Sequence, residues 1–128
     1  MPTFHNPKSV VPPFSRYSHV AEVPAGARWV HLSGQVGVGS DGQLAEGAAG
    51  QIERAFLNVL ALLEAAGMGP HDVVKVNVFL TRPEDIPAYR EVRDRLLQGA
   101  APASTLLIVS GLARREWVVE VEAVAAKA

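Results

Sequence analysis

Residues 48–81, AAGQIERAFLNVLALLEAAGMGPHDVVKVNVFLT, hold the change of period that decides the fold. In the first half Ile52, Phe56, Val59, Leu63 and Ala66 recur at spacings of four, three, four and three, while Glu53, Arg54, Asn58 and Glu64 fall elsewhere on the wheel. That spacing predicts an amphipathic helix over 48–66. Gly67 and Gly69 stop it, with Pro70 just beyond, the usual chemistry of a helix end. In the second half the period becomes two: Val74, Val76, Val78 and Leu80 share one face, and Lys75 and Asn77 the other. A half-buried strand over 72–81 follows.

Toward the C-terminus, Ile86, Tyr89, Val92 and Leu96 return to helical spacing with charged residues between them, which predicts a second helix over 83–97. The segment 99–102 (Gly-Ala-Ala-Pro) breaks it. STLLIV (104–109) and WVVEVEAVA (117–125) then read as two strands around a connection at 111–115. Toward the N-terminus, 17–23 and 28–33 read as strands joined by the turn Pro24-Ala25-Gly26, an opening hairpin. The glycine-rich stretch 34–47, with Ser40-Asp41-Gly42 as a turn signature, is a loop with room for one short strand. Pro2, Pro7, Pro12 and Pro13 make residues 1–14 an extended leader, after which the fold proper begins. The order β-β-α-β-α-β-β, with only two helices, favours an α+β sheet with both helices packed on one face.

At 128 residues and 48% hydrophobic content the chain suits a single domain, 1–128, with one core. A net charge of −1 gives no overall field to draw phosphate backbones or anionic lipid, so neither nucleic-acid nor membrane partners are expected. The absence of cysteine removes disulfides, thiolate metal sites and thiol nucleophiles together. No basic region followed by an apolar run opens the sequence, and a cytoplasmic location is the expectation.

His5, His19, His31 and His71 lack the spacing that presents metal ligands together, and structural or surface roles suit them better. Neither a Walker-type loop nor a Gly-x-Ser-x-Gly elbow is present, and Ser33 at a strand end reads most simply as a hydroxyl satisfying loop backbone. The last strand says more. Its alternation places Val118, Glu120, Glu122 and Val124 on one face, so two carboxylates lie between apolar neighbours. Such a pair suits one member to general acid or base chemistry. A solvent-facing polar face, or ion pairs with Arg114 or Arg115, is the competing reading.

Taken in order, Arg16-Tyr17-Ser18-His19, Ser33-Gly34-Gln35-Val36, Asn58 with Leu63-Glu64-Ala65-Ala66-Gly67, the strand 74–80, Pro102-Ala103 and the strand 119–125 resemble the RidA/YjgF family over residues 14–126. The resemblance implies a single-domain chorismate-mutase-like (RidA-like) α+β fold with a mixed sheet, assembled as a homotrimer with small-molecule pockets at the clefts between subunits. It also implies an enamine/imine deaminase, which hydrolyses reactive 2-imino or 2-aminoacrylate intermediates released by pyridoxal-phosphate enzymes and uses no metal or cofactor. Older names in the family refer to ribonuclease activity or translation inhibition. Carried onto this sequence, the family pocket comprises Tyr17, the loop Ser33-Gly34-Gln35, the position after Pro-Ala, which is Ser104, and Glu120.

The resemblance implies Glu120 as the proton acceptor and Tyr17 as the orienting group. Ser33, Gly34, Gln35 and Ser104 would bind substrate. Ser104 stands where the family's deaminases carry arginine, and a hydroxyl offers one neutral donor in place of a bidentate cation. A buried carboxylate without its cation costs on the order of 3–5 kcal/mol, so standard 2-iminobutanoate/2-iminopropanoate deaminase activity is in question. Arg90, where many relatives have asparagine, is carried forward as a substitute cation, with Arg93 and Arg16 as further candidates. The ordinary reading of Arg90 and Arg93 is that of solvated helix residues pairing with Glu91 or Asp94. Two functions stay open: hydrolysis of an imine or enamine with altered substrate preference, and a non-catalytic metabolite-binding or regulatory trimer.

Overall fold

The computed structural model describes residues 2–128. Eight regular elements follow one another: β1 (Thr3–His5), β2 (Val20–Glu22), β3 (Arg28–Gln35), α1 (Gly47–Ala65), β4 (Val73–Leu80), α2 (Ile86–Leu96), β5 (Ala103–Ile108) and β6 (Val119–Lys127). Short 3₁₀ turns at Pro70–Asp72 and Pro83–Asp85 lead into β4 and α2. The main sheet has the order β3-β6-β4-β5, antiparallel except for the parallel pair β4–β5. It is therefore the mixed α+β sheet expected.

Both amphipathic patterns point into one core. Ile52, Ala55, Phe56, Val59 and Leu63 of α1 and Tyr89 and Val92 of α2 are buried against Val76, Val78 and Leu80 of β4 and Val119, Val121, Ala123 and Ala125 of β6. Phe56 and Tyr89 stack at 6.2 Å between centroids, joining the two helices. Apolar area removed from water in this layer is the main favourable term of folding. Phe56→Ala is expected to cost about 3–5 kcal/mol, read as a lower urea midpoint at fixed protein concentration with an unchanged slope. A loss under about 1 kcal/mol would mean that the site collapses around the cavity.

α1 ends as the glycine spacing predicts. The Met68 N–H donates to the Leu63 carbonyl at 2.8 Å and the Gly67 N–H to the Glu64 carbonyl at 2.9 Å, with Gly67 at φ +73°. This is a Schellman closure, which needs a left-handed residue. Arg28 Nη2 donates to the Ala66 carbonyl at 2.8 Å, so a cation from β3 covers the negative end of the helix.

Two expectations at the N-terminus are corrected. The segments 17–23 and 28–33 do not form a hairpin: β2 pairs antiparallel with β1 through Phe4↔Ala21, while β3 pairs with β6 through His31↔Val124. The leader is thus part of the fold, adding a strand to the order expected. It is tied down by polar contacts. The His19 ring bonds the Val11 carbonyl at 2.6 Å, the His19 N–H donates to Asn6 Oδ1 at 2.7 Å, and the His5 ring meets Glu22 at 2.9 Å. The loop after β3 holds its turn at Ser40-Asp41-Gly42 and one isolated bridge, Val38↔Leu44.

Candidate functional site

The residues singled out by sequence fall into two groups, on opposite faces of the sheet. Register assigns the faces. Ser104 pairs with Val76 and Leu106 with Val78, so both point to the helix side. Glu120 pairs with Phe79 and Glu122 with Asn77, so both carboxylates point to the uncovered side. Strands β5 and β6 are separated by β4, which adds about 10 Å at the usual strand spacing. One subunit therefore does not bring Ser104 and Glu120 together.

The first group lines a cleft of about 240 Å³ formed by Phe14, Ser15 and Tyr17 of the N-terminal segment, Tyr89, Arg90 and Arg93 of α2, and Ser104 and Leu106 of β5. The N-terminal segment reaches this edge because it runs parallel to the start of β5: the Ser18 N–H donates to the Pro102 carbonyl at 3.0 Å and Ser18 bridges Ala103. Tyr17 meets the His19 ring edge-on at 5.8 Å, and its hydroxyl accepts the Phe14 N–H at 3.3 Å. Tyr17 and Ser104 of the carried-over pocket thus line one cleft with Arg90, the candidate substitute cation, while Glu120 and the Ser33-Gly34-Gln35 loop lie outside it.

Arg93 departs from the ordinary reading of a solvated helix residue. Its side chain is 3% exposed. Nε donates to Asp94 Oδ1 at 2.9 Å, Nη1 donates to the Ser15 and Tyr89 hydroxyls at 3.2 and 3.3 Å, and the guanidinium lies 5.1 Å from the Tyr89 ring centroid. Nη2 is 2.9 Å from the same Asp94 oxygen, but off the angle of a hydrogen bond, and is buried with no hydrogen-bond partner. Arg16 approaches Asp94 to 3.8 Å, whereas exposed Arg90 has no ion-pair or hydrogen-bond partner among the described residues.

The second group lies around the end of β3, with Ser33, Gly34 and Glu120 on the uncovered face and Gln35, opposite the core residue Val121, turned to the helix side. Between Leu32↔Ala123 and Gln35↔Val121 the β3–β6 ladder slips, so Ser33 and Gly34 together oppose Glu122. This is a β-bulge, a device that re-aims side chains. It lets Glu120 lie against the backbone of Gly34: a Cβ at that position would stand 2.0 Å from Glu120 Oε2. Gln35 Nε2 donates to the Ser33 carbonyl at 3.1 Å. The two carboxylates of the strand are not equivalent. Glu122 accepts from Asn77 Nδ2 at 3.1 Å, while Glu120 has no side-chain partner among the described residues. The alternative of ion pairs with Arg114 or Arg115 is not realised there, and Arg114 lies over the Trp117 ring at 5.4 Å.

Two amides of α1 hold this second group from the helix side. Asn58 Nδ2 donates to the carbonyls of Val36 and Val38 at 3.2 and 2.9 Å, fixing the strand's exit. Gln51 donates to the Glu116 carbonyl at 3.1 Å and accepts the Val118 N–H at 3.0 Å, fixing the entry to β6. Sequence reasoning quoted Asn58 but passed over Gln51. Its position next to Ile52 on the buried side of α1 was the available signal.

The clearest shifts in acidity lie away from both groups. Hydrogen bonding to Asp85 and to Glu53 holds the Arg82 and Arg95 guanidiniums above their usual range. Neither enters the cleft.

The architecture and these two groups define the class, a RidA-like α+β protein. The chain belongs to the RidA/YjgF family, whose profile, described as Endoribonuclease L-PSP, matches residues 8–127. The 2-iminobutanoate/2-iminopropanoate deaminase of Mus musculus is 35% identical over 111 residues, 85% of this chain and 79% of that protein. A Rid-family protein of unknown function from Yersinia pestis, YyfB, superposes with a TM-score of 0.88 at 30% identity over 98% of both chains. TdcF of E. coli, solved with bound serine, superposes with a TM-score of 0.75 at 27% identity over 98% of this chain and 96% of that one. No helix among the described residues is long and apolar enough to cross a membrane.

Proposed function

We propose that this chain assembles as a homotrimer and hydrolyses a small reactive imine or enamine, at clefts where the Ser104 group of one subunit faces the Glu120 group of the next. The carrying observation is the carboxylate of Glu120, free of side-chain partners and laid over Gly34. In the reaction, water adds to the imine carbon while Glu120 takes its proton. The nitrogen takes up that proton from Glu120 to give a carbinolamine, and as the C–N bond breaks the hydroxyl proton passes by way of Glu120 to the nitrogen, so that ammonia departs and a carbonyl remains. Proton transfer by a positioned carboxylate is general acid–base catalysis and needs no metal or cofactor. Tyr17 orients the substrate, and Ser33, Gly34, Gln35, Ser104 and Arg90 contact it. Deaminase relatives at about one-third identity support the reaction class. Ser104 supports a substrate preference different from theirs.

The test is hydrolysis of 2-imino acids generated in situ by an amino-acid oxidase, with uncharged imines in parallel. Turnover of either class above the uncatalysed rate is the expected result. Gly34→Ala is expected to keep the fold, because the clashing atom is the movable end of Glu120. It should still lower kcat about tenfold or more, since displacing a catalytic group by about 1 Å is costly. Unchanged kcat in Gly34→Ala would separate Glu120 from the chemistry.

A second reading, a non-catalytic trimer that binds a metabolite in the same clefts, is favoured by one observation, the serine at 104. It predicts binding without turnover. The ribonuclease reading that the family description carries is opposed by the net charge of −1, since binding to nucleic acid draws its affinity mainly from cationic contacts to phosphate.

A further inference from the structure

Tyr17, the orienting group of the proposed reaction, stands on irregular backbone between Pro13 and the bridge at Ser18. A group that orients substrate has to be held within about 0.5 Å of its working position, which a loop achieves only with supporting contacts. We infer that Arg93 is the positioning residue that supplies them: its buried guanidinium fastens the 14–18 segment to α2 and so sets Tyr17 in the cleft. The effect on turnover rests on the imine-hydrolysis reading, whereas the fastening does not.

The contacts bracket Tyr17 from both sides. The Arg93 side chain is 3% exposed, and its Nη1 donates at 3.2 Å to the hydroxyl of Ser15, 78 residues away in the chain. The same nitrogen donates at 3.3 Å to the hydroxyl of Tyr89, which is buried in the core and stacked on Phe56. The hold on Ser15 is therefore braced against the core. Asp94 Oδ1 accepts from Arg93 Nε at 2.9 Å and meets Arg16 Nε at 3.8 Å, so one carboxylate joins the helix cation to a cation of the segment. On the other side the Ser18 N–H donates to the Pro102 carbonyl at 3.0 Å, just ahead of β5. Tyr17 lies between these anchors. Its N–H donates to the Ser15 carbonyl at 3.0 Å and its hydroxyl accepts the Phe14 N–H at 3.3 Å, so a shift of Ser15 is carried to both ends of the tyrosine.

Packing alone does not call for this cation. Replacing a buried ion pair with apolar residues of similar volume is often neutral or stabilising, and the position lies on the apolar stripe of α2. What an apolar residue lacks is a donor for Ser15. Lysine would lack the planar fork that meets Asp94, Ser15 and Tyr89 together.

The experiment follows the two tyrosines of the chain by NMR of the assembled protein carrying ring-labelled tyrosine, beside amide hydrogen exchange. Ser15→Ala removes the acceptor and leaves Arg93 and Asp94 in place. It is expected to shift and broaden the Tyr17 ring signal but not that of Tyr89, and to speed exchange of the Tyr17 and Ser18 amides about tenfold or more with β4 unchanged. Arg93→Met should do the same and also move the Tyr89 signal, and Ser15→Thr, which keeps a hydroxyl, should behave as wild type. In imine hydrolysis Ser15→Ala should lower kcat/KM about fivefold or more in the native background, and less than about twofold once Tyr17→Ala is present, since coupled residues are not additive. An unmoved Tyr17 signal with unchanged exchange in Ser15→Ala overturns the proposal, whether or not Arg93→Met folds. So does an undiminished loss of kcat/KM from Ser15→Ala in the Tyr17→Ala background, because the effect would then not pass through Tyr17. No turnover of any imine by the wild-type protein removes the hydrolysis reading, and the ring signal and the exchange rates then decide the fastening alone.

Discussion

Glu120→Gln is expected to lower kcat for imine hydrolysis by about 10²–10⁴-fold while leaving KM within a factor of about three. The substitution preserves shape, so the amide still fits against Gly34 in the β3–β6 bulge. What it removes is the capacity to accept a proton from water. Because Glu120 makes no side-chain hydrogen bond or ion pair among the described residues, the native fold loses no such partner. Stability should shift by no more than about 0.5 kcal/mol, as for a surface exchange. Glu122→Gln is the built-in control. It sits on the same face two residues on and is already bonded to Asn77, so its effect should fall on stability more than on rate. The measurement is steady-state hydrolysis beside thermal unfolding. Equal kcat losses in the two variants would assign the effect to the charge of the strand and remove Glu120 from its role.

How much of this was legible depended on how local each signal was. The period change at Gly67–Pro70 separates α1 from β4 within one stretch of chain, and both elements formed within a residue or two of expectation. The alternation in β6 correctly put Val118, Glu120, Glu122 and Val124 on one face, and the structure turns the other face, Val119, Val121 and Ala123, into the core. Strand pairing is a different kind of information. β3 finds its partner across most of the chain in β6, and the three-residue β1 hides among prolines, so adjacency in sequence suggested a hairpin that does not form. Arg93 was misjudged for another reason. It stands seven residues after Ile86, four after Tyr89 and three before Leu96, squarely on the apolar stripe of α2. A charged residue at a stripe position is a buried charge in need of partners. The spacing carried that signal, and the weight given to residue type masked it. That Ser104 and Glu120 face opposite sides of the sheet was also beyond the sequence, since it depends on the β4 register that links them.

That separation leads to the second large effect, recovery of activity when two inactive variants are mixed. Ser104→Trp should fill the cleft of about 240 Å³ and stop turnover, and Glu120→Gln should stop it on the other face. If each site joins the Ser104 group of one subunit to the Glu120 group of its neighbour, a trimer holding both variants regains intact sites. A Glu120→Gln subunit still offers a sound cleft, and a Ser104→Trp subunit a sound carboxylate. With equal amounts and random assembly in a closed three-fold ring, about one quarter of the sites combine two sound halves. Activity should therefore rise from near zero to about a quarter of wild type after co-expression, and not after simple mixing of preformed assemblies. A site built inside one subunit predicts no recovery under either condition, because every subunit in the mixture carries a defect. The outcome thus discriminates between the two geometries even before the natural substrate is known, provided any imine is turned over. It also ties function to assembly: dilution below the dissociation range of the trimer should abolish turnover while each subunit keeps its core of Phe56, Val78, Tyr89 and Val121.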